Sequence, residues 1–425
     1  MRLFAALAAI LLTAASAAGS DALREKAAAG DAEAAFKLGM EYYAGTPERP
    51  RNPEVAVYWF RKAAEAGNAL ARYNFAACLE HGIGIEKSHV KAYHEYRRAA
   101  DAGLLQAQLR CAAALRHGLP EEHSAEQTLP GVAADPAAAL TLYRKLAAAG
   151  FAEAQRSLAE MLLSRPPGER TAEENAEAVK NLRLAAYSGD LAAKRQFADC
   201  LLSGNGVSPD PERAAKLLRE TADAGDAEAA CRLGDMLEYG VGAPPDEKAA
   251  FELFRKAAKA NVPRAQARLG DFYWSGKVVR QDVVQAVEHY RNAARAHDAY
   301  GQYRLAHAML EGIGVRRDPA GGLRLLQSAA KADEMQAQFA LAEIYAQGLL
   351  LPQDQGAAAY WFGRAARLGH SGAMREYGKR QLAGLGTAKN EKVGRAWIVR
   401  AARAGDPEAR RIAGNGESAN YEVAP

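Results

Sequence analysis

Neither sign of charge is in excess in this 425-residue chain. Its 55 basic and 51 acidic residues leave a formal charge of +4, which argues against a nucleic-acid groove and against a polybasic membrane anchor. Signatures of catalysis are missing as well. There is no His-Glu-x-x-His, no Cys-x-x-Cys, no phosphate loop and no Gly-x-Ser-x-Gly. The nine histidines are scattered, and His81 with His117 would make a metal pair lacking a third ligand. No cofactor and no metal are therefore expected. Cysteine is scarce: Cys78 and Cys111 lie 33 apart, Cys200 and Cys231 31 apart. Adjacent helix axes are about 8–10 Å apart, whereas a disulfide needs Cα atoms within about 7 Å. Buried free thiols are favoured over bridges, although an oxidising compartment would permit the latter.

What is present begins with a processing signal. Arg2 precedes an apolar stretch from Leu3 to Leu12, and Thr13 to Ala18 are all small. Ser16-Ala17-Ala18 fits a small-x-small cleavage rule, so residues 1–18 read as a signal peptide and the mature chain begins near Gly19. The apolar stretch is too short for a lasting transmembrane anchor. No cysteine stands at the cleavage point, which argues against a lipoprotein. The expected location is the periplasm or the exterior.

The rest of the chain repeats itself. An Ala-Ala-x-x-Gly run recurs with its last residue at Gly30, Gly67, Gly103, Gly150, Gly189, Gly225, Asn261, His297, Asp333, Gly369 and Gly405. The steps are 37, 36, 47, 39 and then six of 36. So strict a period means stacked supersecondary units, each burying its apolar face against its neighbours. Eight residues past each mark stands an apolar residue such as Leu38, Leu158 or Leu269, followed always by Gly or Ala. Only a residue that small lets two helix backbones approach closely. A further apolar residue completes the stripe of a first helix, A. Glycine stops it at Gly45, Gly82, Gly240 and at most equivalent positions; Arg165 and Pro166-Pro167 replace it in the fourth repeat.

The second helix, B, announces its start. Fifteen residues before each closing mark stand Asn52, Ser88, Asp135, Glu174, Asp210, Asp246, Asp282, Asp318, Asp354 and Asn390. All but Glu174 are good N-caps, each worth about 1 kcal/mol, so these acids read as caps rather than as a row of catalytic groups. The closing mark requires a left-handed backbone. Where Gly is missing its replacements are Asn, His and Asp, the types that best tolerate that conformation.

Ala-x-x-x-Leu-Gly-x-x-Tyr-x-x-Gly, then a capping residue, then Ala-x-x-Trp-Tyr/Phe-x-x-Ala-Ala-x-x-Gly, as in Ala34–Gly45 followed by Ala56–Gly67, resembles the Sel1-like repeat, a relative of the tetratricopeptide repeat. The resemblance implies an all-α fold, a right-handed α-solenoid superhelix of about ten antiparallel helix pairs. It also implies protein–protein interaction as the role, as scaffold, adaptor or cell-envelope regulator. A cell-wall-related enzyme or a binder of small molecules such as β-lactams or muropeptides is the alternative. The more regular cysteine pairs of β-lactam-binding relatives are absent here. The organisation reads as an N-terminal cap over 19–30, ten repeats over 31–405 with an insertion near 119–134, and a C-terminal cap and flexible tail over 406–425. The insertion is either a partner contact or a tolerated surface loop.

Relatives of this kind bind along a groove lined by helix A. The resemblance places positions three, six, ten, thirteen and fourteen past each mark in that groove. Position ten is acidic at Glu160, Asp199, Asp235, Asp271 and Glu343. Such a row would hold a basic or peptide ligand, or would simply solvate an exposed helix face. Aromatics join it at Tyr239, Trp274, Tyr300 and Tyr303. Trp59, Trp361 and Trp397 share one helix-B register and read as packing residues. Trp274 stands outside that register and is expected to be exposed, as an interface anchor would be. Asp235, Tyr239, Asp271, Trp274, Tyr300 and Tyr303 form the best single candidate site, for an unidentified protein or peptide partner, on a monomeric chain that binds no nucleic acid.

Overall fold

The computed structural model describes residues 17–47, 49–123 and 128–414; the apolar segment of the expected signal peptide and the last eleven residues of the tail lie outside them. The chain divides into two compact units, Met1–Pro209 and Asp210–Pro425. Unit 1 opens with α1 (Ala17–Ala28). The helix pairs α2–α3 (Ala32–Ala44, Pro53–Glu65), α4–α5 (Ala69–His81, His89–Asp101), α6–α7 (Leu105–His117, Pro136–Ala148) and α8–α9 (Ala152–Leu163, Ala172–Tyr187) follow, then α10 (Leu191–Ser203). Unit 2 starts at α11 (Pro211–Asp223). It continues with α12–α13 (Ala227–Tyr239, Glu247–Lys259), α14–α15 (Pro263–Ser275, Val283–Arg295), α16–α17 (Ala299–Glu311, Pro319–Lys331), α18–α19 (Met335–Gln347, Gln355–Arg367) and α20–α21 (Ser371–Ala383, Glu391–Arg403), and ends with α22 (Pro407–Gly414). From α2 to α21 the even helices are A and the odd ones B. Within each unit every helix packs on the next, as an α-solenoid of repeated pairs requires.

Local chemistry sets the boundaries. The side chains of Asn52, Ser88, Asp135, Asp210, Asp246, Asp282, Asp318, Asp354 and Asn390 each accept a first-turn N–H of a B helix. The fourth repeat differs. Thr171 is the cap of α9, and Glu174 sits three residues in, reaching back to the Thr171 N–H in a reciprocal capping box. The Thr171–Glu174 capping box starts this helix one turn earlier than the shared register. All eleven marks have positive φ, including Asn261 at 60°, His297 at 59° and Asp333 at 61°.

Side chains at the A-helix starts carry a capping pattern that the periodicity hides. Asp31, Asn68, Asp190, Asp226, Asp298, Glu334 and His370, one residue past a mark, cap A helices. Four residues further on, Gln155, Gln266 and Gln338 donate to the carbonyls of Ala147, Ala258 and Ala330 at the end of the preceding B helix, at 3.0–3.2 Å.

Where the small residue of helix A is Gly, it serves mainly to admit a side chain of helix B. A Cβ at Gly39 would lie 2.7 Å from the Phe60 ring, and one at Gly234 would lie 2.8 Å from the Phe254 ring. The missing side chain makes room for the B-helix aromatic, because a ring fills more of the space between helices than a methyl group. Only at Gly378 does facing backbone, the carbonyl of Gly394 at 2.9 Å, set the limit. The closest backbone approach comes instead from the second glycine of the Gly-x-Gly connections. Gly84, Gly206, Gly242, Gly314 and Gly386 combine positive φ with direct contact on the first turn of the preceding B helix.

The insertion is a small folded element. β1 (Glu122–His123) pairs antiparallel with β2 (Thr128–Leu129), and Leu119 bridges Val132. Glu122 reaches back to α5, accepting from the Ser88 hydroxyl, from His89 N–H at 2.6 Å and from Val90 N–H at 3.2 Å. It thereby adds a carboxylate to a helix N-terminus, where negative charge is favoured. Cys78, Cys111, Cys200 and Cys231 are buried free thiols. Burial pushes Cys78, Cys111 and Cys231 up to about 12 and Cys200 up to about 11. They act as small apolar groups. Trp59, Trp361 and Trp397 lie half-buried against the cores, as their shared register requires.

Candidate interaction site

Arg268 on α14 organises the candidate site, although the repeat pattern alone does not single it out. Its side chain is only 9% exposed. Its Nε donates to Asp235 Oδ1 at 3.0 Å and its Nη1 to Asp271 Oδ2 at 3.3 Å. Its Nη2 donates to Glu238 Oε2 at 2.9 Å and to the Tyr239 hydroxyl at 2.6 Å. The centre of the guanidinium lies 5.3 Å from the Tyr239 ring centre, 5.8 Å from Phe254 and 5.9 Å from Tyr300. Only a planar group with donors around its rim can serve four oxygens while its faces stack on rings.

A second arginine in the same cluster extends it. Arg304 on α16 donates to the Tyr290 hydroxyl at 2.7 Å and lies 3.2 Å from Asp271 Oδ1. It stands 5.4 Å over the Trp274 ring and 5.0 Å over Tyr290. Asp271 also accepts from the Tyr290 and Tyr300 hydroxyls, each at 2.9 Å. Arg264 closes on Asp235 at 2.9 Å. Burial foremost, with the Asp271 charge, pushes the Tyr290 and Tyr300 hydroxyls well above the usual tyrosine range, so both remain donors. Burial also raises the Glu238 carboxyl despite the opposing Arg268 charge.

The structure brings Asp235, Tyr239, Asp271, Trp274 and Tyr300 into one cluster, and Tyr303 adjoins it with its ring 6.2 Å from that of Tyr300. It changes two expectations. Trp274 is half-buried rather than exposed, since its ring tilts against Tyr290 at 6.2 Å and meets His307 edge-on at 6.1 Å. Tyr239, 65% exposed, is the open aromatic instead. The position-ten acids also do not form a row of open charge. Asp235 and Asp271 are neutralised by Arg264, Arg268 and Arg304. In unit 1, Glu160 is held by Arg156 at 2.8 Å, Arg116 at 3.3 Å and Gln196 at 2.9 Å, and Asp199 is half-buried on α10. Glu343 is half-buried on α18, its carboxyl raised by burial and by the nearby Glu376 charge. A signal for the arginines existed. Arg268 stands seven residues past its mark and three before Asp271, the spacing at which helix neighbours pair. His81 lies beside Glu80, its Nε2 3.9 Å from the carboxylate.

The surface that results is aromatic and electrically balanced. It offers Tyr239, the half-buried rings of Trp274, Tyr300 and Tyr303, and an exposed His307. Its charged groups are held by one another, which fixes the rings without leaving an open charge of either sign.

The family model described as Sel1 repeat matches ten successive segments, from residues 32–68 to 371–406. Among solved structures, a protective antigen of uropathogenic Escherichia coli displaying an SLR fold is 26% identical, with a TM-score of 0.57 over 94% of this chain and 91% of that one. A Sel1 repeat protein from Oxalobacter formigenes is 22% identical, with a TM-score of 0.46 over 96% of this chain and 92% of that one. No curated protein matches this chain.

Proposed function

Because the chain belongs to the Sel1 repeat family, whose members generally mediate protein–protein interactions, we propose that it is an interaction scaffold of the periplasm or exterior, a cell-envelope regulator or assembly factor. It docks a protein or an extended peptide on the aromatic face of unit 2. The observation that carries this reading is the cluster around Arg268 and Arg304, which holds Tyr239, Trp274 and Tyr300 in place before any partner arrives. Side chains already ordered lose little freedom on binding, and ordered aromatics beside arginine are the residues that dominate interface energies. The partner's anchor is correspondingly apolar or aromatic, because the acids that would receive a lysine or arginine are already paired. Glu160, Asp199 and Glu343 contribute at most the rim of a longer footprint.

The location rests on residues 1–18, and N-terminal sequencing of the exported protein checks it; a start near Gly19 is expected, and retention of Leu3–Leu12 would overturn it. For binding, wild type and the pair of variants Tyr239→Ala and Trp274→Ala are used to capture partners from an envelope extract. A stoichiometric partner held by wild type and released about tenfold or more faster by Tyr239→Ala is expected, the size of effect an interface anchor shows. Equal retention by both variants at unchanged melting temperature would remove the site. Tyr239→Ala is the cleaner probe, since Trp274 also packs against the core of its repeat.

A further inference from the structure

A different surface of unit 2 departs from what folding requires. In a stack of antiparallel pairs all the A-to-B connections lie at one end of the helices. In unit 2 each leaves helix A through a left-handed glycine, and the next residue points outward. That outward residue is Val241, Ile313, Leu349 and Leu385 in four connections of unit 2, and Leu349 is 69% exposed. Leu350 is exposed beside it, as are Val284 and Val393 in the first turns of α15 and α21. Two residues further on, Val315 and Leu351 turn back and pack on the cores, so packing is satisfied without the outward set. Among the described residues the connections of unit 1 expose no large apolar side chain, and Ile83, the counterpart of Ile313, lies against the core.

Exposed cations stand between these tips: Lys248, Arg280, Arg316 and Lys392. Most carboxylates at the same edge are engaged, and Glu212 and Glu311 are the exposed exceptions among the described residues. Asp246, Asp282, Asp318 and Asp354 accept helix N–H groups, and Glu247 and Glu391 pair with Lys277 and Lys389 at 3.0 Å. The N-termini of the B helices, which carry partial positive charge, open onto this edge too.

We propose that this edge of unit 2 rests on an anionic lipid surface, the aliphatic tips entering the boundary between headgroups and acyl chains and the cations meeting lipid phosphates. A protein interface would gather its anchors into one packed, aromatic centre. Here the tips are aliphatic side chains, single or in small groups such as Leu349–Leu350, that recur from connection to connection, which suits a fluid boundary where each group inserts independently. Attachment is peripheral, since no described helix is long and apolar enough to cross a membrane. Flanking lysines and arginines supply the selectivity for anionic headgroups.

Sedimentation with vesicles tests this, using phosphatidylcholine alone and phosphatidylcholine mixed with phosphatidylglycerol. Wild type is compared with the triple variant Ile313→Asp, Leu349→Asp, Leu385→Asp in the full chain. Both proteins carry residues 1–18, so the difference between them reports the edge alone. Wild type is expected to sediment with the mixed vesicles and the triple variant to bind them at least about tenfold more weakly, with circular dichroism and melting unchanged. Arg316→Ser with Lys392→Ser is expected to remove most of the preference for the anionic lipid. Failure of wild type to sediment, or equal sedimentation of the triple variant, overturns the proposal. Should the aspartates disturb folding, serine at the same three positions makes the same comparison, with the same loss of binding expected.

Discussion

Several half-buried acids of the two units behave in opposite ways, although Asp282 and Asp406 of unit 2 are lowered by their hydrogen bonds like those of unit 1. In unit 1, burial works against ionisation of Glu160, yet hydrogen bonds from Gln196 and Arg156 outweigh it and hold the carboxyl below the usual range. Arg144 does the same for Glu177, and Ser88 with the His89 and Val90 N–H groups does so for Glu122, again against burial. In unit 2, Glu238, Asp298, Glu334 and Glu343 are all raised, with burial as the first cause. The A helices there carry more aromatic surface, which removes water from the carboxylates, and the arginines are shared among several of them. Arg268 alone serves Asp235, Glu238 and Asp271. The same repeat therefore yields, at similar burial, acids whose hydrogen bonds outweigh dehydration in one unit and a cluster around shared arginines where dehydration prevails in the other.

Removing one arginine from each unit tests this most severely. Arg268→Ala leaves three partly buried carboxylates without their common partner and is expected to cost about 3 kcal/mol, toward the range for a broken buried pair. Arg156→Ala in unit 1 is expected to cost only about 1 kcal/mol, because its partners Glu160 and Asp190 stay within reach of water and other donors. Denaturant unfolding of the two variants gives the comparison, and equal losses would erase the distinction. A smaller contrast lies in the glycines. Gly386→Ala would strain a left-handed position and press on the first turn of α19, costing about 2–3 kcal/mol. At Gly67 nothing lies within 4 Å of a new Cβ, and only the left-handed strain remains, about 1 kcal/mol. Thermal unfolding separates them.

The smallest effect is in pH. Acids held below their usual range contribute stability above their unfolded pKa and lose it as pH falls toward the depressed values. Acids held above it contribute below their unfolded pKa and lose it as pH rises through the raised values. On acidification from neutrality, amide exchange in α12, α16 and α18 is expected to slow, after correction for intrinsic rate. Protection of the β1–β2 hairpin and of α5 holds until the pH drops below about 4 and then falls. Exchange measured by mass spectrometry across that range reads both, and parallel behaviour in the two units would contradict the assignment.

Much of the fold was legible before the structure. Nine of the expected B-helix caps and all eleven left-handed marks are where the periodicity placed them. The fourth repeat escaped because Glu174 occupies the cap register while Thr171 does the capping, in a reciprocal capping box. The candidate site was legible as a set of neighbours but not as chemistry. Asp235 and Asp271 were visible as acids in register, and Trp274 as an aromatic out of register. That the acids are neutralised and the tryptophan half-covered depends on Arg268 and Arg304, whose partners come from α12, α14, α15 and α16.

Sequence alone determined the repeat period, the helix boundaries and the left-handed turns, because caps, glycine freedom and apolar spacing act over a few residues and need no distant partner. Tertiary structure decided which acids carry open charge, which aromatic faces water, and that the A-to-B connections of unit 2 leave aliphatic tips uncovered. Those properties depend on side chains brought together from neighbouring repeats some 36 positions apart, where packing distance rather than spacing along the chain sets the outcome.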